Sequence, residues 1–244
     1  MTAEIKNKAL EIIGIGIAKI VNNYSETALL INACFVSIDR YTNHRIQHLS
    51  TTQNIPEPLR LDNEIEVVYS NEDLIRKYRT DVQKIVFENY IISSVSLVDA
   101  ILEDLYEYLL KSQNPNITDA DLDKAIRNAW TKDNLLNFLT DANGIGLTKP
   151  NDKQTEFREA FMRYSELRIL RHTILHSNGL LTDKNFQKLQ DNFAATPVDR
   201  QHFALINAPL FQNKKIVLTV NDILSVRQYL DRFLMYIHQS IREK

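Results

Sequence analysis

The placement of proline constrains this chain more than any other feature. Its 244 residues hold six prolines, at 56, 58, 115, 150, 197 and 209, and five glycines. Proline lacks a backbone N–H and its ring clashes with the preceding helical turn. The long intervals between these residues therefore predict helices. From Ala3 to Asn22, Ile5, Ala9, Ile12, Ile13, Ile17 and Ile20 recur at the three- and four-residue spacing of one buried helical face. Ser25, Glu26 and Thr27 read as the N-cap region of a second helix, from Leu29 to about His48. Leu49 to Ser70 reads as a Pro-containing connection. Ser70-Asn71-Glu72-Asp73 supplies capping chemistry for the longest segment, about Asn71 to Lys111, whose stripe runs from Val82 to Leu109.

Asn114-Pro115 stops that segment, and Thr118 with Asp119 opens a shorter helical region ending at a left-handed signal, Asn143-Gly144. A helix from about Asp152 to His176 follows Pro150, closed in the same way by Asn178-Gly179, and Asp183 to Phe193 forms a short helix. Residues 194–213 carry no clear period. Ile216 to Val220 reads as a short strand, and Asp222 as the cap of a last helix striped by Ile223, Val226, Leu230, Phe233, Leu234 and Ile237. The expectation is an all-α helical bundle over residues 1–244 as one domain, with at most a short strand or hairpin near 214–220.

Lys plus Arg number 29 and Asp plus Glu 31, a formal net charge of −2, so no bulk positive charge draws the chain to nucleic acid or an anionic membrane. Any site for a polyanion must be local. One cysteine, Cys34, excludes an internal disulfide framework and a Cys-rich metal cluster, and its neighbours Ala33, Phe35 and Val36 predict a buried, inert thiol. No stretch of 18 uncharged apolar residues is present, and Glu4 and Glu11 interrupt the faint signal-like start. The expected setting is the cytoplasm, with no membrane span.

The chemically informative stretch is Arg171-His172-Thr173-Ile174-Leu175-His176-Ser177-Asn178-Gly179. At roughly 100° per residue, Arg171 falls about 40° from Leu167, inside the apolar face that Leu167, Leu170 and Ile174 define. An arginine there requires an anionic or polar partner, because an unpaired buried charge is too costly. His172 and His176 lie together on a neighbouring face with Arg168 beside them. Upstream, Lys149, Lys153, Arg158, Arg163 and Arg168 interleave with Asp152, Glu156, Glu159 and Glu166, the pattern of a solvated face.

This stretch resembles the HEPN domains, helical-bundle proteins many of which are RNases marked by an Arg, four to six intervening residues and a His. A polar residue tends to follow the family's arginine, and His172 holds that place here. The resemblance implies metal-independent endoribonuclease activity without a cofactor. His176 would act as general acid or base on the ribose 2′-hydroxyl or the leaving 5′-oxygen, and Arg171 would hold the phosphate and stabilise the phosphorane. His172 would assist, with Arg168 and Asn178 as substrate-binding residues. The products implied are a 2′,3′-cyclic phosphate and a 5′-hydroxyl. The family pairs two bundles across a two-fold axis, so the resemblance also implies a homodimer whose RNA groove is shared. A toxin or phage-defence role follows from the same source, with an antitoxin or defence-system protein as partner. One toxin branch carries a tyrosine two residues after the motif histidine; Asn178 stands there in this chain.

Other readings of the same residues are weaker. Arg232 and His238 also match the motif spacing, but Phe233 follows that arginine and, with Ile237, belongs to the packing stripe. The three-residue gap between His172 and His176 suits two metal ligands on one helical face, yet Arg168 and Arg171 would repel a cation. Gly14-x-Gly16 and Gly144-x-Gly146 lack the preceding strand of a phosphate loop. From another functional class, the alternative is a non-catalytic HEPN-like dimer that binds RNA, a nucleotide or a protein partner through the same groove.

Overall fold

The computed structural model describes residues 1–43, 49–61, 65–207, 211–212 and 214–244, and they form an all-α bundle. The chain divides into two compact units, Met1–Tyr24 with Tyr90–Lys244, and Ser25–Asn89.

Helix α1 runs unbroken over Ala3–Asn43. This corrects the expected break near residues 23–28. Asn23 donates to Ser93 Oγ and Ser94 Oγ (3.1 and 2.7 Å), and Thr27 is buried, so these polar residues sit inside the helix with their needs met. The distal part of the expected second helix, 44–48, lies outside the described residues. Close packing explains Gly16, where a Cβ would stand 2.7 Å from the Ile101 side chain.

In the 25–89 unit, the connection expected at 49–70 carries a short antiparallel ladder of β1 (Leu49–Ser50) and β2 (Val68–Tyr69). The Glu66 carboxylate accepts from Ser50 and Thr52 inside it, which holds its pKa below the usual glutamate range. Ser70 caps helix α2 (Asn71–Lys77), its side chain accepting from Asp73 N. A π-helical turn over Tyr78–Val82 joins α2 to α3 (Gln83–Gln113). Cys34 is buried and burial pushes its thiol pKa up, in keeping with an inert thiol. The 71–113 segment is long and apolar enough to cross a membrane, with a window of mean hydropathy 1.6, and 56% of that window is buried within the protein as a core helix's would be.

The larger unit is built around α3, whose Ile91, Val95, Val98, Leu102, Leu105 and Leu109 are fully buried. Thr118 caps α4 (Asp119–Arg127), but the helical region expected to continue to Asn143 is broken. Lys132 and Asp133 adopt left-handed φ values of 50° and 58° before α5 (Asn134–Thr140). Nor is Gly144 a left-handed cap: it is needed because a Cβ there would lie 2.1 Å from the Phe138 carbonyl oxygen. Gly144→Ala is expected to lower stability by about 1–3 kcal/mol, the usual cost of forced overpacking. A shift of the urea midpoint at unchanged slope will check this.

Helix α6 spans Phe157–Ser177 and α7 spans Asp183–Ala194. Between 198 and 207 the expected irregular segment forms two 3-10 turns, Val198–Phe203 and Leu205–Asn207. A buried polar clamp fixes it to α6. Arg163 donates to Glu166 Oε1 and to Thr196 Oγ1, both at 2.9 Å, and Leu205 N donates to Glu166 Oε2 at 2.9 Å. Arg200 Nε lies 2.9 Å from Glu159 Oε1. Glu166 is 2% exposed, so the solvated face expected of this stretch does not extend to Arg163 and Glu166.

The short strand or hairpin expected near 214–220 is an antiparallel pair of β3 (Phe211–Gln212) and β4 (Lys215–Ile216), and residues 217–219 lie outside it. Helix α8 (Val220–Glu243) then starts at once, because Thr219 and Asp222 form a capping box. Asp222 is thus the third residue of the helix, and Thr219 is its cap. Leu230, Leu234 and Ile237 of α8 are fully buried, and Phe233 stacks on Tyr164 of α6 with ring centroids 4.8 Å apart.

Candidate functional site

The site is assembled on the C-terminal half of α6. Asn178 ends that helix in the left-handed conformation (φ 48°, ψ 41°), and Gly179 follows at φ 75°. Gly179 N donates to Thr173 O at 3.1 Å, and Gly179 O accepts from Ile216 N at 2.8 Å, so the helix end is held in register against β4. The last turn, which carries His176, is thereby fixed in direction. Asn and Gly tolerate positive φ, and this is why the sequence stops the helix there.

His172 and His176 are both exposed, with ring centroids 4.7 Å apart and planes tilted by 46°. Leu175 in the same turn is 45% exposed and Leu180, just past the cap, 53%. Leu175 and Leu180 thus form an exposed apolar rim at this helix end. Thr173 and Leu170 of the same helix are fully buried.

The anionic partner expected of Arg171 is Asp99 of α3. Arg171 Nη1 lies 3.5 Å from Asp99 Oδ2, and Arg168 Nε lies 3.0 Å from Asp99 Oδ1. Tyr164 OH sits 2.7 Å from the same Oδ1, and its buried hydroxyl has a pKa raised well above the tyrosine range by desolvation and by the Asp99 charge. One carboxylate therefore holds two guanidinium groups, and the cluster keeps one net positive charge. Arg168 also lies 4.0 Å above the Trp130 ring, whose Nε1 donates to Glu103 Oε1 at 2.7 Å. Arg171 Nε is buried without a hydrogen-bond partner.

Beside the cluster runs a groove of about 1110 Å³ between α6 and α7, closed on a third side by residues 129–136. Arg168, Arg171 and His172 line it, whereas His176 and Asn178 lie beyond it. The structure therefore pairs the arginines through Asp99, pairs the histidines by ring contact, and gives Asn178 the role of helix cap with an exposed side chain.

No family model, curated protein or solved structure matches the chain. Its chemistry rests on its own residues.

Asp99, Glu103 and Trp130 were absent from the sequence-based site. Asp99 had a signal: a carboxylate set among Val95, Val98 and Leu102 on an otherwise apolar stripe is the complement that an arginine on a buried flank demands. The second motif match behaves as packing requires. Phe233 and Ile237 are buried, Arg232 is exposed, and His238 has a pKa lowered by burial and by the Arg242 charge. Among the described residues no group of three His, Cys, Asp or Glu side chains gathers in a metal-binding cluster, so His172 and His176 have no further ligand beside them.

Proposed function

We propose that this chain is a metal-independent endoribonuclease that acts as a homodimer, with Arg171 and His176 as its central residues. The observation that carries the reading is the exposed His172–His176 pair set next to two arginines oriented by a single shared carboxylate. The resemblance of this stretch to HEPN domains supports the same reading.

The chemistry follows from the groups. One imidazole, neutral, takes the proton of a ribose 2′-hydroxyl as that oxygen attacks the adjacent phosphorus. The P–O5′ bond breaks, and a second imidazole, protonated, gives its proton to the departing 5′-oxygen. A 2′,3′-cyclic phosphate and a 5′-hydroxyl result. Arg171, permanently charged, stabilises the extra negative charge on the phosphorane, and Arg168 adds to the local potential. Asp99 is a positioning residue that limits where both guanidinium groups can swing. A second copy supplies a further histidine pair, and the apolar rim of Leu175 and Leu180 favours its contact here. The biological role proposed is that of a cytoplasmic toxin or phage-defence effector, regulated by an antitoxin or other partner protein.

Digestion of a single-stranded RNA in excess chelator tests the reaction. The expected result is cleavage with 2′,3′-cyclic phosphate ends, and none at a linkage whose 2′-hydroxyl is replaced by hydrogen. Cleavage of the deoxy-substituted linkage, or loss of activity with chelator, would overturn the mechanism. A non-catalytic binding dimer is the second reading, favoured by the engagement of Arg171 with Asp99. Binding of RNA without any cleavage would select it.

A further inference from the structure

Along one side of α6, Arg158, Ser165, Arg168 and His172 form a row that lines the α6–α7 groove, and the helical period places His176 on the same side one turn further. From Arg158 to His172 the row is about 21 Å long at 1.5 Å per residue. The groove thus leads onto the histidine pair.

The opposite wall is α7, which presents Lys184 and Lys188 to the groove. Both are exposed, and neither forms an ion pair with a described residue. Of the acids nearby, Asp133 faces Arg158 at 3.4 Å and Asp99 is shared by two arginines, while Asp191 accepts from the neutral Gln187 at 2.9 Å and keeps its charge; the cations of the lining, Arg158, Arg168, Arg171, Lys184 and Lys188, outnumber these three acids. An acidic chain therefore has a local cationic wall. The two lysines stand one turn apart, about 6 Å along the axis, an interval comparable to that between neighbouring phosphates of an extended strand.

We infer that the α6–α7 groove is a binding track for the phosphodiester backbone of single-stranded RNA, with Lys184 and Lys188 as its phosphate contacts. The strand lies along the α6 row and delivers one linkage to His172 and His176. This rests on the nuclease reading for the direction of the strand, while the binding itself needs no cleavage. Lysine serves here as a point charge toward phosphate, giving affinity without sequence preference.

The test is the affinity of the full chain for a 2′-O-methyl RNA oligonucleotide, which cannot be cleaved through its 2′ position, measured by fluorescence anisotropy across a salt series. The variant Lys184→Met/Lys188→Met is compared with wild type and with Lys8→Met/Lys19→Met, a control with the same change in net charge on α1. The groove variant is expected to bind at least tenfold more weakly, with the slope of log affinity against log salt reduced by about 1.4, or 0.7 per lost contact. The control variant is expected to match wild type. Equal affinity and slope in the groove variant would overturn the inference. So would lysine-dependent binding of poly-glutamate without binding of the oligonucleotide, which would assign the groove to an acidic protein segment. Because the ligand is not cleavable, failure here leaves the cleavage reading standing, and failure of cleavage leaves this result standing.

Discussion

Glu166→Ala is expected to destabilise the folded chain by about 3–5 kcal/mol, the cost of removing one partner from a buried ion pair. Arg163, whose side chain is 10% exposed, would lose its carboxylate while remaining out of water. Leu205 N would lose its acceptor at the same time. Because these groups tie the 194–207 segment to α6, the segment should lose protection from amide exchange first. The double variant Arg163→Met/Glu166→Leu should cost less than either single removal, since it leaves no unmatched charge in the interior. Chemical denaturation of Glu166→Ala, Arg163→Met and the double variant will measure the order.

The clamp also has a predictable pH dependence. Desolvation raises the Glu166 pKa above its ordinary 4.5, against the opposing hydrogen bond from Leu205 and the charge of Arg163. Above pH 4.5 and below the raised value, the folded chain keeps a proton that the unfolded chain has released. The contribution of this group to stability is therefore complete below pH 4.5 and declines as pH rises through the folded value. Glu166→Gln should remove that slope, which a pH series of unfolding midpoints will show.

His176→Ala is expected to lower kcat for RNA cleavage by about 10²–10⁴-fold, the range for loss of a positioned acid or base. KM should change little, because the cationic groups that attract the strand remain. His176 is exposed and ends a helix whose cap is made by backbone groups of Asn178 and Gly179, so its removal should leave the fold intact. A kcat equal to that of wild type in the folded His176→Ala variant would contradict that role.

Much of the bundle was legible in the sequence, and the exceptions share a cause. Ser70, Thr118, Asn178 and Gly179 were readable because capping and left-handed turns depend on the local residue type. The break expected in α1 was also inferred from local chemistry, but Ser93 and Ser94, seventy residues away, satisfy Asn23 and let the helix continue. Glu166 looked solvated because its sequence neighbours are charged; its burial comes from residues 196–205, which fold over it. The left-handed pair at Lys132 and Asp133 involves a residue type, lysine, with no preference for that conformation. At the site, the arginine and histidines were visible as a motif, and the demand for an anion beside Arg171 was visible in its helical position. That Asp99 would meet this demand, and that Arg168 would share it, depended on α3 packing against α6.

Joint action of Arg171 and His176 in RNA cleavage is measured by the rate at which wild type, Arg171→Ala and His176→Ala cut one RNA in excess chelator. Each protein is first shown to be folded by its thermal transition. Cleavage by wild type and a loss of at least about 10²-fold in both variants are expected. Equal rates in all three folded proteins would contradict that joint action.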